Sequence, residues 1–412
     1  MPISAGDQLY EQAQTATFVW QMSTQGDPYA QILMRQVNPY RFYEKARELG
    51  PLHRSKVGPW VTPDYRVARG ILRDSRFGVR RADGERDYPQ FTSMDDSFLK
   101  LDPPDHTRLR RLVTPYFGAR RFNKQRTRVE ALCNELLDGL DTSQTFDLMS
   151  QFIRPLMNTL VRDLFQVPEQ ERERFDRNCT LTGRVFEGFA SPEQFEELEA
   201  AVADLKQVLL DLMELRRKEP GDDVVSDLLA AHDRGQATLD EAIGVLGLLS
   251  IAGTESTSHL IGNGVLALME HRDQWELLKA DPELAPKAVE ETLRYDPPNQ
   301  LISRVAHKDV PLEGELIEAG STVIVLTGGA NRDPRAYPDP NRFDMHRAPG
   351  PEPLTFSTGI HFCLGAALAR TAADVALRVL AARTPELRQD GAVRRRVAAP
   401  IRGLQSFPVT AG

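Results

Sequence analysis

No stretch of this sequence stays apolar for the ~20 residues that a membrane-spanning helix needs. The nearest approach, AIGVLGLLSIAGT at residues 242 to 254, is ended by Glu255. The N-terminal residues MPISAGDQLYEQAQTATFVW lack the basic start and apolar run of a secretory signal, so no leader is expected. Cysteine is scarce, with Cys133, Cys179 and Cys363 the three in 412 residues. Three scattered thiols exclude a disulfide framework and point to a reducing compartment, so a cytoplasmic location is expected. Positive charge is in deficit: 51 Lys and Arg stand against 59 Asp and Glu, a net charge of −8. That balance argues against a protein that coats nucleic acid. Internal repeats and low-complexity tracts are missing as well.

What is present suits a large globular fold, with 41% hydrophobic and 27% charged residues. PLHRSKVGPWVTPDY, residues 51 to 65, sets β-type residues between glycine and proline and predicts a strand pair. Ser191-Pro192 has the form of an N-cap followed by proline at the first helical position. Leu198, Val202, Leu205, Leu209 and Leu212 then recur at helical spacing. Thr238 and Glu241 have capping-box spacing, and the residues after them are apolar on nearly every face toward His271. Such a helix must cross the core of a large fold. The last third carries a helix near residues 282 to 295, a strand-like VPLEGELIEAGSTVIVL, a proline-rich loop and a helix from about residue 365. No linker divides the chain. The expectation is one domain over 1–412, mostly α with a smaller β region (α+β), its β-rich parts mainly within 40–75, 300–330 and 385–412.

FSTGIHFCLG, residues 356 to 365, places Cys363 and His361 in a turn bracketed by Gly359 and Gly365. The glycines allow tight backbone and close approach of a flat partner. A helix beginning just after the thiol favours a thiolate. An isolated cysteine is most often buried structure. Zinc would need more ligands than His361 and Cys363 supply. A nucleophile with His361 as its base stays open on these residues alone.

The whole ten-residue pattern resembles the haem-binding signature of the cytochrome P450 family, with Phe356, Gly359, His361, Cys363 and Gly365 at its fixed positions. The resemblance extends over nearly the whole chain and is strongest to soluble bacterial members. It implies the P450 fold with a long central helix over haem b, and Cys363 as the axial iron ligand. A thiolate ligand favours O–O cleavage. AGTESTS, residues 252 to 258, is similar to the family's oxygen-binding segment. By that likeness a local helix break makes room for dioxygen, and Glu255 with Ser256 (where threonine is usual) and Thr257 delivers protons. Glu291 and Arg294 match Glu-x-x-Arg, and Arg342 in PNRF matches its third partner, giving a structural triad. His106 and Arg110 in DPPDHTRLRR, Arg304 in SRVA and His361 match positions that bind the haem propionates.

Residues 105 to 128 hold eight Lys or Arg and one acid. Such a run is usually a solvated helix face. The resemblance implies a docking face for an acidic ferredoxin, with Arg111, Arg120, Arg121 and Lys124 as candidates. No flavin domain is fused, so electrons are expected from ferredoxin and ferredoxin reductase, with NAD(P)H as source and O2 as co-substrate. By position, the substrate pocket is expected among Phe91, Met94 and Phe98; Val185 and Phe186; Leu248, Ile251 and Ala252; and Asn299, Leu301, Ile302 and Ile401. That set is largely apolar and suits a hydrophobic small molecule, with a polyketide, macrolide, terpenoid or lipid type preferred. The rival readings are a haem-thiolate peroxygenase or isomerase that needs no redox partner, a non-catalytic haem protein, and a cysteine hydrolase.

Overall fold

The structure is a computed structural model that describes the chain apart from residues 1–4, 35–37, 85–95, 184–190, 397–398 and 412; the side chains of 5–13, 119–124 and 192 are also outside the described set. One long helix, Leu239–Glu270, organises the rest. Its start is fixed as the sequence predicts. Thr238 Oγ1 accepts the Glu241 N–H at 3.1 Å, and Glu241 Oε2 accepts the Thr238 N–H at 2.8 Å. A reciprocal cap of this kind contributes about 1 kcal/mol.

The helix is buried on all sides over Ala242–Ile251 and again over Thr257–Leu268. The first stretch packs with Phe165 and with Leu205, Leu209 and Leu212 of the helix Pro192–Lys218. The second packs with Phe152, Leu156 and Met157 and with the helix Ala366–Arg383. Between these two clusters Ala252 is exposed and Gly253, Glu255 and Ser256 are partly exposed. The polar AGTES residues therefore fall where the core itself opens. The expected break in the backbone does not occur, because the helix runs unbroken through this segment. Its hydroxyls bond back along the helix: Ser256 Oγ donates to the Ala252 carbonyl at 3.0 Å and Ser258 Oγ to that of Thr254 at 2.7 Å.

The β structure is small and lies mostly where the sequence predicts it. A five-stranded sheet has the order His53–Arg54, Trp60–Thr62, Thr322–Val325, Ile302–Ala306, Phe77–Gly78. Trp60 pairs Val323 in parallel, and Ile302–Ala306 runs antiparallel to both neighbours. This sheet presents Arg304 to the site. Near the C-terminus, Pro408–Thr410 pairs with Phe146–Asp147 and Arg388–Gln389, and Arg394–Arg395 pairs with Leu404–Ser406. Phe77–Gly78 and Phe146–Asp147 lie outside the expected β ranges, since a two-residue strand carries no alternation to read. Among the described residues no helix is long and apolar enough to cross a membrane.

Candidate active site

The cysteine turn is built from short 3-10 turns, Leu354–Phe356 and Gly359–His361, ahead of the helix Ala366–Arg383. The Cys363 N–H donates to the Phe356 carbonyl at 2.8 Å, and the Phe362 N–H to that of Gly359 at 3.1 Å. The two bracketing glycines do different work. Gly359 has φ +73°, and a Cβ there would stand 2.7 Å from the Leu72 carbonyl oxygen. It admits the end of the helix Tyr65–Arg73, which the sequence reading attributed to a flat partner. Gly365 has no atom within 4 Å of where a Cβ would be, so it keeps the ground beside the thiol open. Burial pushes the Cys363 thiol up, and the Gly365 N–H with the charges of Arg110 and Arg370 opposes that. Arg370 lies 4.7 Å from the Phe356 ring centre and is held by Glu290 at 2.5 Å.

Four predicted propionate partners converge beside this turn. His106 is 3% exposed, and neither ring nitrogen has a hydrogen-bond partner. Burial first, then His361 and Arg110, pushes it down to about 4. Its centroid is 4.5 Å from that of His361. His361 Nε2 also has no hydrogen-bond partner; Asp102 Oδ1, at 3.9 Å, is too distant. Arg304 is 5% exposed, and burial brings its guanidinium down to about 10. Among the described residues no carboxylate reaches ion-pair distance of it. Arg110 donates to the carbonyls of Ile360 at 3.1 Å and Phe362 at 2.5 Å, so it also ties its helix to the cysteine turn. Buried donors with no protein acceptor, next to a buried guanidinium, suit an anionic acceptor. Two propionates of a haem ligated by Cys363 are such acceptors, so the donor set fits the group. Asp102, which sequence reasoning missed, accepts the Val79 and Arg80 N–H groups at 3.0 and 3.1 Å and borders this cluster.

On the central helix, the expected acid and alcohol have different partners. Glu255 Oε2 is bonded by Arg396, and His259 Nε2 lies 3.4 Å from it. Burial raises the Glu255 carboxyl, but His259 and Arg396 outweigh this and hold it at about 2. Ser256 is turned to the Ala252 carbonyl and does not touch that carboxylate. Thr257 is 4% exposed. His259 was legible as the i+4 neighbour of Glu255; Arg396, far along the chain, gave no signal.

The triad needs one correction. Arg294 pairs with Glu291 at 2.7 Å, both almost fully buried. The second guanidinium on Glu291 belongs to Arg347, at 3.1 Å. Arg342 contributes its carbonyl, which accepts from Arg294 at 2.9 Å, while its side chain is 65% exposed and near Asp344. In PNRFDMHR the chain turns after Arg342, with the Asp344 N–H bonded to Glu291 Oε1, and this swings Arg347 inward.

Of the predicted pocket residues, Phe91, Met94, Val185 and Phe186 lie outside the described residues. Phe98 packs edge-on to His106 at 6.3 Å, beside the donor cluster. Leu248 and Ile251 are 5% and 2% exposed in the core cluster, whereas Ala252 faces the opening. Asn299 and Ile401 are bridged backbone to backbone, with Leu301 and Ile302 following. In the basic stretch, Arg108 is paired with Glu241, Arg126 with Asp374 and Arg128 with Asp163. Arg111 is exposed and, among the described residues, unpaired; the side chains of Arg120, Arg121 and Lys124 are outside the described set. Ile360, at the tip of the cysteine turn, is 51% exposed.

The chain matches the family described as Cytochrome P450 over residues 30–381. It is 36% identical to the 6-deoxyerythronolide B hydroxylase of Saccharopolyspora erythraea, over 90% of this chain and 96% of that protein. It is also 36% identical to the cytochrome P450 monooxygenase PikC of Streptomyces venezuelae, over 90% and 91%. Among solved structures it resembles P450BioI in complex with an acyl carrier protein ligated to hexadec-9Z-enoic acid. That match has a TM-score of 0.84 and 32% identity, over 91% of this chain and 99% of that one. With the signature turn, the donor cluster beside it and the buried central helix, these matches establish that the chain belongs to the cytochrome P450 family.

Proposed function

We propose that this monooxygenase hydroxylates a hydrophobic small molecule of polyketide or macrolide type, with terpenoid and lipid metabolites as the neighbouring classes, and takes its electrons from ferredoxin and ferredoxin reductase. The reading is supported above all by the buried His106 and Arg304 converging with His361 beside the Cys363 turn, with no protein acceptor for either ring nitrogen of His106 or for His361 Nε2. Cys363 would ligate the iron, and His106, Arg110, Arg304 and His361 would hold the propionates. Phe356 would back the thiolate, with Gly359 and Gly365 shaping the turn. When bound, the haem supplies oxygen activation for insertion into a C–H bond.

The chain's own part is positioning, exclusion of water and proton control. Ala252 and Ile401 offer apolar surface to a substrate, and Asn299 a polar group beside it. Ser256 is partly exposed where the core opens beside the unbroken central helix, whereas the hydroxyls of Thr254, Thr257 and Ser258 are buried. It would hand a proton inward by rotating off the Ala252 carbonyl, a turn that serine, without a β-methyl, makes easily. Glu255, kept charged by His259 and Arg396, would replenish it only after that contact loosens and the carboxylate has taken a proton from solvent. The resemblance to a 6-deoxyerythronolide B hydroxylase favours the polyketide class.

The test is spectroscopic first. The reduced, carbon monoxide-bound protein is expected to show the thiolate-type Soret band, and Cys363→Ala to lose it. A macrolactone is then expected to shift the iron spin state and to be hydroxylated with ferredoxin, its reductase and NADPH. Full turnover with hydrogen peroxide and none with the redox partners would overturn the electron route.

A further inference from the structure

Two loops meet around one buried carboxylate at the edge of the predicted pocket. Asp296, at the end of the helix Ala285–Tyr295, is 6% exposed. Its Oδ1 accepts from the Tyr40 hydroxyl at 2.5 Å and from Arg402 Nε at 2.6 Å. Arg395 Nη1 lies 3.5 Å from Oδ2. Arg332 stacks 3.5 Å from the Tyr40 ring centre and 3.8 Å from that of Tyr295. Burial pushes the Asp296 carboxyl up, and Arg402 and Arg395 more than reverse it. From the central helix, Asn263 Nδ2 donates to the carbonyls of both Asp296 and Arg402, each at 3.0 Å.

The backbones of the two loops are joined at the same place. The Arg402 N–H donates to the Pro298 carbonyl at 2.7 Å, and the Gln300 N–H to that of Pro400 at 2.9 Å. Asn299 and Ile401 form the bridge between these bonds. At the other end, the Arg396 N–H donates to the Gly403 carbonyl at 3.0 Å while its guanidinium holds Glu255. Ile401 is thus fixed from both ends, by one ion pair at Asp296 and another at Glu255.

We propose that Tyr40, Asn263, Asp296 and Arg402 form a clamp of positioning residues that sets the shape of the pocket wall at Asn299 and Ile401, and so selects substrates by size. The inference rests on the reading of those two residues as pocket wall. The clamp residues are drawn from four separate parts of the chain and meet at Asp296, Tyr40 and Arg402 at its carboxylate and Asn263 at its backbone carbonyl. A buried ion pair with one member removed leaves the other uncompensated. Here that strain falls within three residues of the wall. A shell that supports a site's first contacts governs its precision more than its presence.

The experiment uses the haem-loaded enzyme and two azoles read by the Soret shift on binding iron. Imidazole is small enough to reach iron without the wall; econazole is bulky. Arg402→Met is expected to weaken econazole on the order of tenfold, and Arg402→Lys to restore most of that loss. Imidazole affinity and the reduced carbon monoxide spectrum should stay as in the parent. Tyr40→Phe, which removes one hydroxyl, carries the test if Arg402→Met does not fold, with a smaller loss in the same direction. Equal weakening of both azoles would overturn the proposal, because the residues would then hold the fold or cofactor. It is also overturned if Ile401→Ala and Asn299→Ala change econazole binding while the clamp variants do not. No response to Ile401→Ala or Asn299→Ala would instead reject the pocket reading beneath it.

Discussion

Glu255 is a carboxylate held from two sides in the middle of the longest helix. Its pKa, lowered to about 2 from the usual 4.5, makes it a stabilising group wherever it is ionised. The sign follows: the folded state keeps the carboxylate charged below the pH at which the unfolded chain protonates it. The contribution is full above pH 4.5 and disappears as pH falls toward 2, over which it amounts to roughly 3 kcal/mol. Denaturation of the parent and of Glu255→Gln across this window is expected to show the difference between them shrinking by that order as pH falls; a constant difference would mean the carboxyl is not held down. Ser256 makes a separate prediction. Ser256→Ala should reduce product formed per NADPH consumed, measured with ferredoxin and reductase, and unchanged coupling would remove Ser256 from proton delivery.

At the scale of elements, the join between the helix Ala285–Tyr295 and the loop after Pro340 rests on one acid and two guanidiniums. Removing Arg347 leaves Glu291, 5% exposed, short of a partner. Arg347→Ala is therefore expected to cost about 3 kcal/mol and to impair haem retention. Arg342→Ala, at a side chain that is 65% exposed, should cost under ~0.5 kcal/mol, as urea denaturation can check. The reverse ranking would restore the partner read from the sequence. The cysteine turn has a similar single point of dependence. Gly359→Ala would strain a residue at φ +73° and drive its Cβ into the Leu72 carbonyl, with a loss of about 2 kcal/mol and a displaced helix Tyr65–Arg73.

For the whole molecule, the face around the cysteine turn combines the exposed Ile360 with Arg73, which abuts Gly359, and the exposed Arg111 is the chain neighbour of Arg110, whose guanidinium bonds to that turn. Half of the basic stretch is already committed within the chain: Arg108, Arg126 and Arg128 to acids, and Arg110 to carbonyls. The charge left for an acidic partner is smaller than the sequence count suggests. Electron transfer from ferredoxin is expected to slow as salt rises, and Arg111→Glu to slow it about threefold at low salt with little effect at high salt. Stopped-flow reduction measures both, and rates indifferent to salt and to Arg111→Glu would move the docking face elsewhere.

The sequence by itself determined what is local. Thr238 with Glu241 fixes where the central helix starts, the apolar run after them fixes its burial, and the spacing from Phe356 to Gly365 fixes the thiol turn. Each depends on residues within a few positions of one another, where backbone geometry leaves little choice. Only the tertiary structure decided which charges meet. Arg396 on Glu255, Arg347 in place of Arg342 on Glu291, Asp102 beside His361, and Tyr40 with Arg402 on Asp296 join chain segments that no spacing rule relates. The continuity of the helix at AGTES belongs with them. The family likeness implies a break there, but the hydroxyls of this segment bond back to the helix carbonyls and the opening is formed by the gap between two packed clusters. A buried ion selects its partner by distance after the chain has folded, so its pairing is a property of the packed molecule.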